Sequence, residues 1–266
     1  MIGTALLGHH WRRHRAALLL LALGSAVFQV VMTRVVPDPS RTQLIREIVD
    51  LAPPPVRVFL GEELVANLSA RGFLGFGWVH PFPLLLLAVW AVRVAAGALA
   101  GEVGRGTIDL VAARPVSRGA QVSAAAVALL GGLVVIAAAG WAGTAAGLAL
   151  RPLEGVAAPA FLPVAGMLLL LFAGAGGVAL FISATRREGG AAVSWCAGLL
   201  AASYVLDYLA RVWTPIAFLR PLSLFRYYDP QRILRDGVAA GDAAVLAVTG
   251  AGGLILAYAV WARRDL

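Results

Sequence analysis

The sequence of 266 residues predicts an all-α polytopic membrane protein that forms a single domain with six transmembrane helices. Hydrophobic residues make up 60% of the chain and charged residues only 14%, whereas charged residues make up about 25% of soluble domains. Six apolar runs each reach the length of about 20 residues that a helix needs to cross the hydrocarbon core of a bilayer. No segment between these runs is polar enough to form an independent soluble domain.

The predicted spans follow one another with short connections, except before the second, the third and the sixth span. They lie near residues 16–36, 81–100, 122–150, 161–184, 191–213 and 243–261. The first run is preceded by Arg12, Arg13 and Arg15, as in a signal peptide. It is long, however, and lacks a following small-x-small cleavage site, so we expect an uncleaved first span. The third run exceeds the bilayer thickness and is expected to tilt or to project beyond the bilayer.

The distribution of arginine predicts that both ends of the chain lie in the cytoplasm of a bacterial cell, with the spans in the plasma membrane. One set of loops concentrates ten arginines in few residues: 12, 13, 15, 105, 114, 118, 186, 187, 263 and 264. The opposite set spreads a similar number over more residues and mixes them with most of the acids. An aromatic belt would place Trp78 and Trp213 at the outer interface, whereas Trp90 and Trp141 are expected to pack between helices.

Two segments on the predicted outer side are more than simple loops. In residues 37–77, a capping box at 40–43 precedes an amphipathic pattern at 44–51, and a second short helix is predicted from 56 to 70, ending at Gly72. Residues 214–242 are too apolar for a free loop and too rich in proline for a span. A re-entrant or interfacial helical hairpin fits that composition.

Charged residues inside predicted spans are candidates for function, because inserting one at mid-membrane costs about 2.5–3.5 kcal/mol. Asp207 and Arg211 are four residues apart on one helical face, near the outer end of the fifth span. They form either a structural pair or part of a translocation path. Arg93 lies deeper in the second span and is expected either to extend toward the inner surface or to pair with another helix.

Several classes of activity are excluded by residue type. All 22 basic residues are arginine, so the chain has no lysine for a Walker A phosphate loop or for a Schiff base. Cys196 is the only cysteine and cannot form an internal disulfide. The chain lacks G-x-S-x-G and H-E-x-x-H motifs, and Glu62-Glu63 matches an intramembrane protease motif only faintly. We therefore expect no catalytic residues, no metal site, no bound cofactor and no nucleic-acid partner.

The loop between the second and third spans carries the most informative pattern. Thr107 can cap a short helix whose first turn contains Asp109 and which ends before Pro115. Its apolar residues Ile108, Leu110 and Val111 are flanked by Arg105, Arg114 and Arg118. Such a helix fits a groove on a partner protein, although a plain loop helix that faces lipid has the same composition.

This loop resembles the corresponding loop of the permease subunits of type-2 ATP-binding-cassette exporters, in the branch that includes the permease for nitrous-oxide reductase maturation. The matching residues are Glu102, Gly106-Thr107-Ile108-Asp109-Leu110 and Arg114-Pro115-Val116-Ser117-Arg118. The stretch 225–230 before the last span and the stretch 263–266 also agree with that branch. Val103 and Arg105 depart from it, because relatives often carry acids there.

The resemblance implies a permease that pairs with a second copy or a sister chain and binds two separate ATP-binding subunits, which hold ATP and magnesium. Residues 101–118 would form the main coupling helix. The loop 185–190, with Arg186 and Arg187, would form a minor one. The alternatives are a membrane anchor or mechanotransmission module coupled to an ATPase, and an intramembrane enzyme. The substrate, its direction of movement and the choice between homodimer and heterodimer stay open.

Overall fold

The computed structural model describes residues 2–37, 47, 51–53, 55–56, 69–104 and 117–264. Every regular element in these ranges is helical. The elements are α1 (Ile2–Arg34), α2 (Ala70–Val79), α3 (Pro81–Ala91), a π-helix (Val92–Ala96), α4 (Ala100–Gly104), α5 (Arg118–Leu150), a 3₁₀-helix (Ala158–Phe161), α6 (Leu162–Thr185), α7 (Gly189–Val212), two further 3₁₀-helices (Thr214–Leu222 and Leu224–Tyr227), α8 (Pro230–Asp236) and α9 (Ala240–Arg263).

Six helical stretches of the described chain are long and apolar enough to cross a membrane, as expected of a multi-pass membrane protein. The predicted number of spans is thereby confirmed, and four of the six begin and end within about four residues of the prediction. Helix α1 instead begins at Ile2, well before the predicted residue 16. We call the side where α1, α5 and α7 begin the inner side, following the predicted topology, and the opposite side the outer side.

The second span is not the simple helix that residues 81–100 predict. It extends from Ala70 to Ala96 and bends at His80, because the ring of Pro81 forces an extended conformation on the residue before it. The stretch Val92–Ala96 is a π-helix, a rare conformation that widens a helix locally. A further break at Leu99 separates this span from α4.

Close packing of small residues holds the bundle together in two helix pairs. Helix α1 packs on α5, where a Cβ on Gly143 would collide with the backbone carbonyl of Ala26. Helix α6 packs on α9, where a Cβ on Gly250 would lie 3.1 Å from the carbonyl oxygen of Ala173. Glycine allows such backbone approach between helices in a bilayer, where there is little hydrophobic force to drive association.

Helices α5 and α6 form the centre of the bundle, and α7 lies at its edge. Within the most apolar window of each span, 56% of residues are buried in α5 and in the fourth span, but only 11% in α7. Trp90 of α3 is buried and donates from Nε1 to the carbonyl oxygen of Leu129, 2.9 Å away, which confirms that it packs between helices. Thus α7 is the span that its own chain buries least.

A helical layer covers the outer side. Tyr228 donates its hydroxyl to the carbonyl oxygen of Trp78 at 3.1 Å, and Gln231 donates to that of Gly72 at 2.7 Å. Burial, followed by the charge of Asp229, raises the pKa of Tyr228 well above its ordinary value, so its hydroxyl stays protonated and can donate. These bonds join α2 to the segment that precedes the last span.

Two sequence predictions about this outer layer are wrong. Gly72 does not end a helix; it lies inside α2, which begins after Ser69, whose Oγ accepts from the amide of Gly72 at 3.1 Å. Trp78 does not face the outer interface, because it is 1% exposed and packs against α5. The predicted helices at 44–51 and 56–70 fall almost entirely outside the described residues.

Candidate functional site

A slot between the second span and α7 forms a cavity with a volume of about 700 Å³. Apolar side chains of α3 and the π-helix form one wall, and α7 forms the other. Phe172 and Phe225 also contribute to its lining. A volume of about 300–1,000 Å³ is typical of small-molecule sites.

A second, smaller cavity of about 70 Å³ continues from the outer end of the slot. The two cavities share Pro81, Leu84, Tyr204 and Phe225 in their linings. These four residues therefore form the border between an apolar inner chamber and a polar outer chamber. The ring of Phe225 meets that of Tyr204 edge to face, with centroids 5.2 Å apart.

Asp207 is the central charge of the outer chamber. Its carboxylate accepts from Arg211 at 2.6 Å and from Arg220 at 3.0 Å. The side chain of Asp207 is 7% exposed, whereas those of the two arginines are 30% and 29% exposed. The predicted pair is thereby confirmed in geometry, and a second arginine from the following 3₁₀-helix completes a triad.

Arg93 lies at the inner end of the slot, on the π-helix. Its side chain is exposed and makes no ion pair or hydrogen bond within the described part of the chain. Val193, which also lines the slot, comes shortly after the start of α7 at Gly189. Within the described part of the chain no helix pairs with Arg93, and its extension toward the inner surface stays a prediction.

The structure thus brings Arg93, Asp207 and Arg211 onto one route between the second and fifth spans. Arg93 lies at the inner end of this route and the Asp207 triad at the outer end. Their separation in sequence gave no indication of this arrangement, because the route exists only where the two spans pack against each other.

On the inner side, the two predicted coupling segments meet. A Cβ on Gly189 would lie 3.0 Å from Cα of Gly101, and a Cβ on Gly104 would lie 3.4 Å from the carbonyl oxygen of Arg187. Glu102 of α4 also accepts from Arg13 of α1 at 3.0 Å. The start of the main loop, the minor loop and α1 therefore form one inner surface.

Some of the remaining candidates for the coupling contacts lie within the described residues, and others do not. Ser117 is the N-cap of α5, since its Oγ accepts from the amide of Ala120 at 3.2 Å. Arg186 stacks on the ring of Trp195 at 5.0 Å, and Arg187 lies beside α4. Seven candidates fall outside the described residues: Gly106, Thr107, Ile108, Asp109, Leu110, Arg114 and Pro115.

Arginine side chains cap the C-termini of helices on this inner surface. Arg118 donates to the carbonyl oxygens of Ala262 at 3.0 Å and Arg264 at 2.5 Å. Arg264 in turn donates to those of Ala184 at 2.7 Å and Arg186 at 2.8 Å. Carbonyls at a helix C-terminus lack partners within the helix and carry partial negative charge, so this chain of bonds ties α5, α6 and α9 together.

Ser183 is a functional candidate that sequence reasoning missed. It is fully buried in α6, donates to the carbonyl oxygen of Ala96 at 2.8 Å, and accepts from the amides of Leu99 and Ala100 at 3.2 and 3.1 Å. These are backbone groups that the break in the second span leaves without helical partners, and side chains of neighbouring helices can satisfy such groups. A serine within an apolar run was the only signal in the sequence. Arg220 was also missed, because it lies in a segment that the sequence assigned to an outer hairpin.

Among the described residues, no group of three or more His, Cys, Asp or Glu side chains could hold a metal ion. No protein-family model matches the chain, and no curated protein resembles it in sequence. The resemblance of residues 102–118 to the exporter permeases therefore stays a prediction.

Proposed function

We propose that the chain is the membrane-spanning subunit of an ATP-binding-cassette exporter in a bacterial plasma membrane. The observation that supports this most is the contact of α4 with the start of α7. It places the beginning of the proposed coupling loop against the very helix that forms one wall of the slot. A displacement of that loop would be transmitted to the wall of the slot through this one contact.

Two features of the slot suit a transport path. It runs from the inner side toward the polar chamber around Asp207, and its lining is mostly apolar. The wall formed by α7 is weakly embedded in the rest of the chain. Displacement of α7 could therefore open or close the slot as one of two states whose balance the ATPase sets.

In this proposal ATP and magnesium are held by two separate ATP-binding subunits, because this chain has no lysine for a phosphate loop. A second permease copy or a sister chain completes the membrane part. The proposed coupling contacts are made by residues 101–118 and by Arg186 and Arg187.

The direct test is purification of the chain from its native cell in a mild detergent, followed by mass spectrometry and an ATPase assay. We expect a stoichiometric ATP-binding-cassette subunit and measurable ATP hydrolysis. Recovery of the chain alone, or with partners that are not ATPases, would contradict the proposal.

A variant that fills the slot separates transport from a purely mechanical role. Ala201→Trp places a large ring on the α7 wall, away from the inner surface. If the complex assembles and hydrolyses ATP but the cell loses the dependent function, the exporter assignment is supported. If that function is unchanged, the chain acts as an anchor or mechanotransmission module instead.

A further inference from the structure

The slot between the second span and α7 has an uneven distribution of charge. Among the described residues that line it, Arg93 is the only charged one, and it lies at the inner end. The rest of the lining is aliphatic and aromatic, with the hydroxyl of Tyr204 at the outer end. The slot is therefore amphipathic along its length, with a cation at the inner end and an apolar body.

The cation has no counter-charge in the described part of the chain, although the chain has other places where arginine is neutralised. Arg13, Arg211, Arg220 and Arg235 all form ion pairs. An arginine near an apolar cavity without such a partner favours an anion supplied from outside the chain, because guanidinium binds carboxylate and phosphate groups through paired hydrogen bonds.

The length of the slot favours an elongated ligand. From Pro81 to Val92 and from Val193 to Tyr204 the walls each cover eleven residue steps, or about 17 Å at 1.5 Å per residue. This is close to the depth of one leaflet, about 15 Å, which is half of the hydrocarbon core. Exposed apolar side chains line this space on both walls, Leu85 and Val89 on the second span and Val193 on α7.

We propose that the slot binds a single anionic amphiphile, with its carboxylate or phosphate at Arg93 and its hydrocarbon chain along the wall of α7 toward Tyr204. The head group then lies at the level of the inner leaflet, and the border with the polar outer chamber, at Tyr204 and Phe225, limits the length of chain that fits. This binding requires only the present chain and is independent of any ATPase partner.

The test is photolabelling of the full chain in bilayer nanodiscs with a diazirine-bearing fatty acid, with labelled peptides identified by mass spectrometry. We expect labels on residues 85–93 and 193–204, displaced by phosphatidylglycerol and not by phosphatidylcholine. Arg93→Gln should lower this labelling by about fivefold or more, in line with the interaction of one basic residue with anionic lipid, and Arg93→Lys should retain most of it. Arg263→Gln, which removes an exposed arginine from the inner end of α9, is the matched control and should leave it unchanged.

Three results would overturn the proposal. Labels spread evenly over all lipid-facing helices, without dependence on head group or on Arg93, would mean that ordinary solvating lipid fills the slot. Peptides 85–93 and 193–204 that are protected from the label, and become accessible only when the oligomer is dissociated, would mean that a second copy of the chain covers the slot. Equal labelling in Arg93→Gln and wild type would remove the role of the cation.

Native mass spectrometry of the wild-type chain distinguishes the two sources of such a ligand. A retained mass equal to a membrane phospholipid identifies a lipid of the bilayer, and another acidic amphiphile identifies a dedicated ligand. Either mass supports binding, and loss of both in Arg93→Gln is expected. Failure of the ATPase to copurify would contradict the proposed exporter function and leave this binding result standing.

Discussion

At the scale of single residues, Asp207 shows how one carboxylate can organise a polar chamber at the end of an apolar span. It is nearly buried, whereas its two arginine partners reach partly into solvent. Removing the carboxylate leaves two cations that water can still reach, so the cost is smaller than for a fully buried pair.

We therefore expect Asp207→Asn to lower the stability of the purified protein by about 1–3 kcal/mol, measured as a lower midpoint of thermal unfolding in detergent. Asp236→Asn is the matched control, since Asp236 also pairs with an arginine at 2.9 Å but both side chains are more than half exposed. Its midpoint should barely move, because exposed ion pairs contribute little. Equal effects of the two variants would show that the Asp207 triad is not a structural unit.

Ser183 is a second residue whose side chain makes several hydrogen bonds through one functional group. Ser183→Ala removes the partner of one carbonyl and two amides at the break of the second span. Each buried group left without a partner costs about 1–3 kcal/mol, so we expect a clear fall in the unfolding midpoint.

Thr185→Ala, two residues further along α6, is the control for Ser183→Ala. Thr185 is exposed and donates only to the carbonyl oxygen of Ile182 in its own helix. Its loss should leave the midpoint nearly unchanged. If both variants behave alike, the break at Leu99 does not depend on Ser183.

At the scale of elements, the pairing of α6 with α9 depends on which glycine faces the partner helix. Gly253 is buried and a Cβ there would collide with the backbone of α6 at Gly177 and Val178, whereas a Cβ on the neighbouring Gly252 would meet no atom within 4 Å. The two positions have the same residue type and differ by one step around the helix.

We predict that Gly253→Ala destabilises the bundle by about 1–3 kcal/mol through overpacking. Gly252→Ala should be neutral or slightly stabilising, because alanine favours helix over glycine by about 1 kcal/mol. Thermal unfolding of the two variants in the same detergent measures the difference. A similar loss in both would mean that α6 and α9 are not in backbone contact.

The second span combines an irregular backbone with one wall of the slot. The bend at His80, the π-helix and the break at Leu99 divide it into short helices. Two of these borders adjoin the slot, and the third adjoins the inner surface. The hydrogen bonds of Ser183 at the inner end and of Tyr228 and Gln231 at the outer end hold this divided helix in place.

At the scale of the whole molecule, the proposed exporter requires that the inner loop transmit force. Replacing Asp109 with Asn or Arg114 with Gln should uncouple ATP hydrolysis from the cellular function while the chain stays inserted and folded. The ATPase rate of the purified complex, a growth phenotype and the unfolding midpoint together measure this. Variants that match wild type in both rate and phenotype would rule out a coupling role for the loop.

The topology is a separate prediction at this scale. Green fluorescent protein fused to either end of the chain should fluoresce, and alkaline phosphatase fused there should be inactive, because both ends are expected in the cytoplasm. Alkaline phosphatase inserted after Glu154, between α5 and α6, should be active. The reverse pattern would invert the bundle and place Arg93 at the outer leaflet.

The sequence by itself determined the helical class, the number of spans and most of their ends. These properties follow from the free energy of moving a contiguous apolar segment from water into the bilayer. That free energy is the sum of the contributions of consecutive residues, so it can be calculated from the sequence. The i, i+4 spacing likewise determined that Asp207 and Arg211 can pair, because both lie on one helical face.

Only the tertiary structure decided that Arg220 joins this pair, that Ser183 closes the break in the second span, and that Arg93 has the slot as its neighbour. These relations join residues that are 13 to 87 positions apart or on separate helices. Their energies depend on distances between helices, which hydropathy and periodicity do not contain. The burial of Trp78, which was expected at the interface, has the same cause. Whether a side chain near a helix end is buried depends on how the helices pack against each other and not only on its position along one helix.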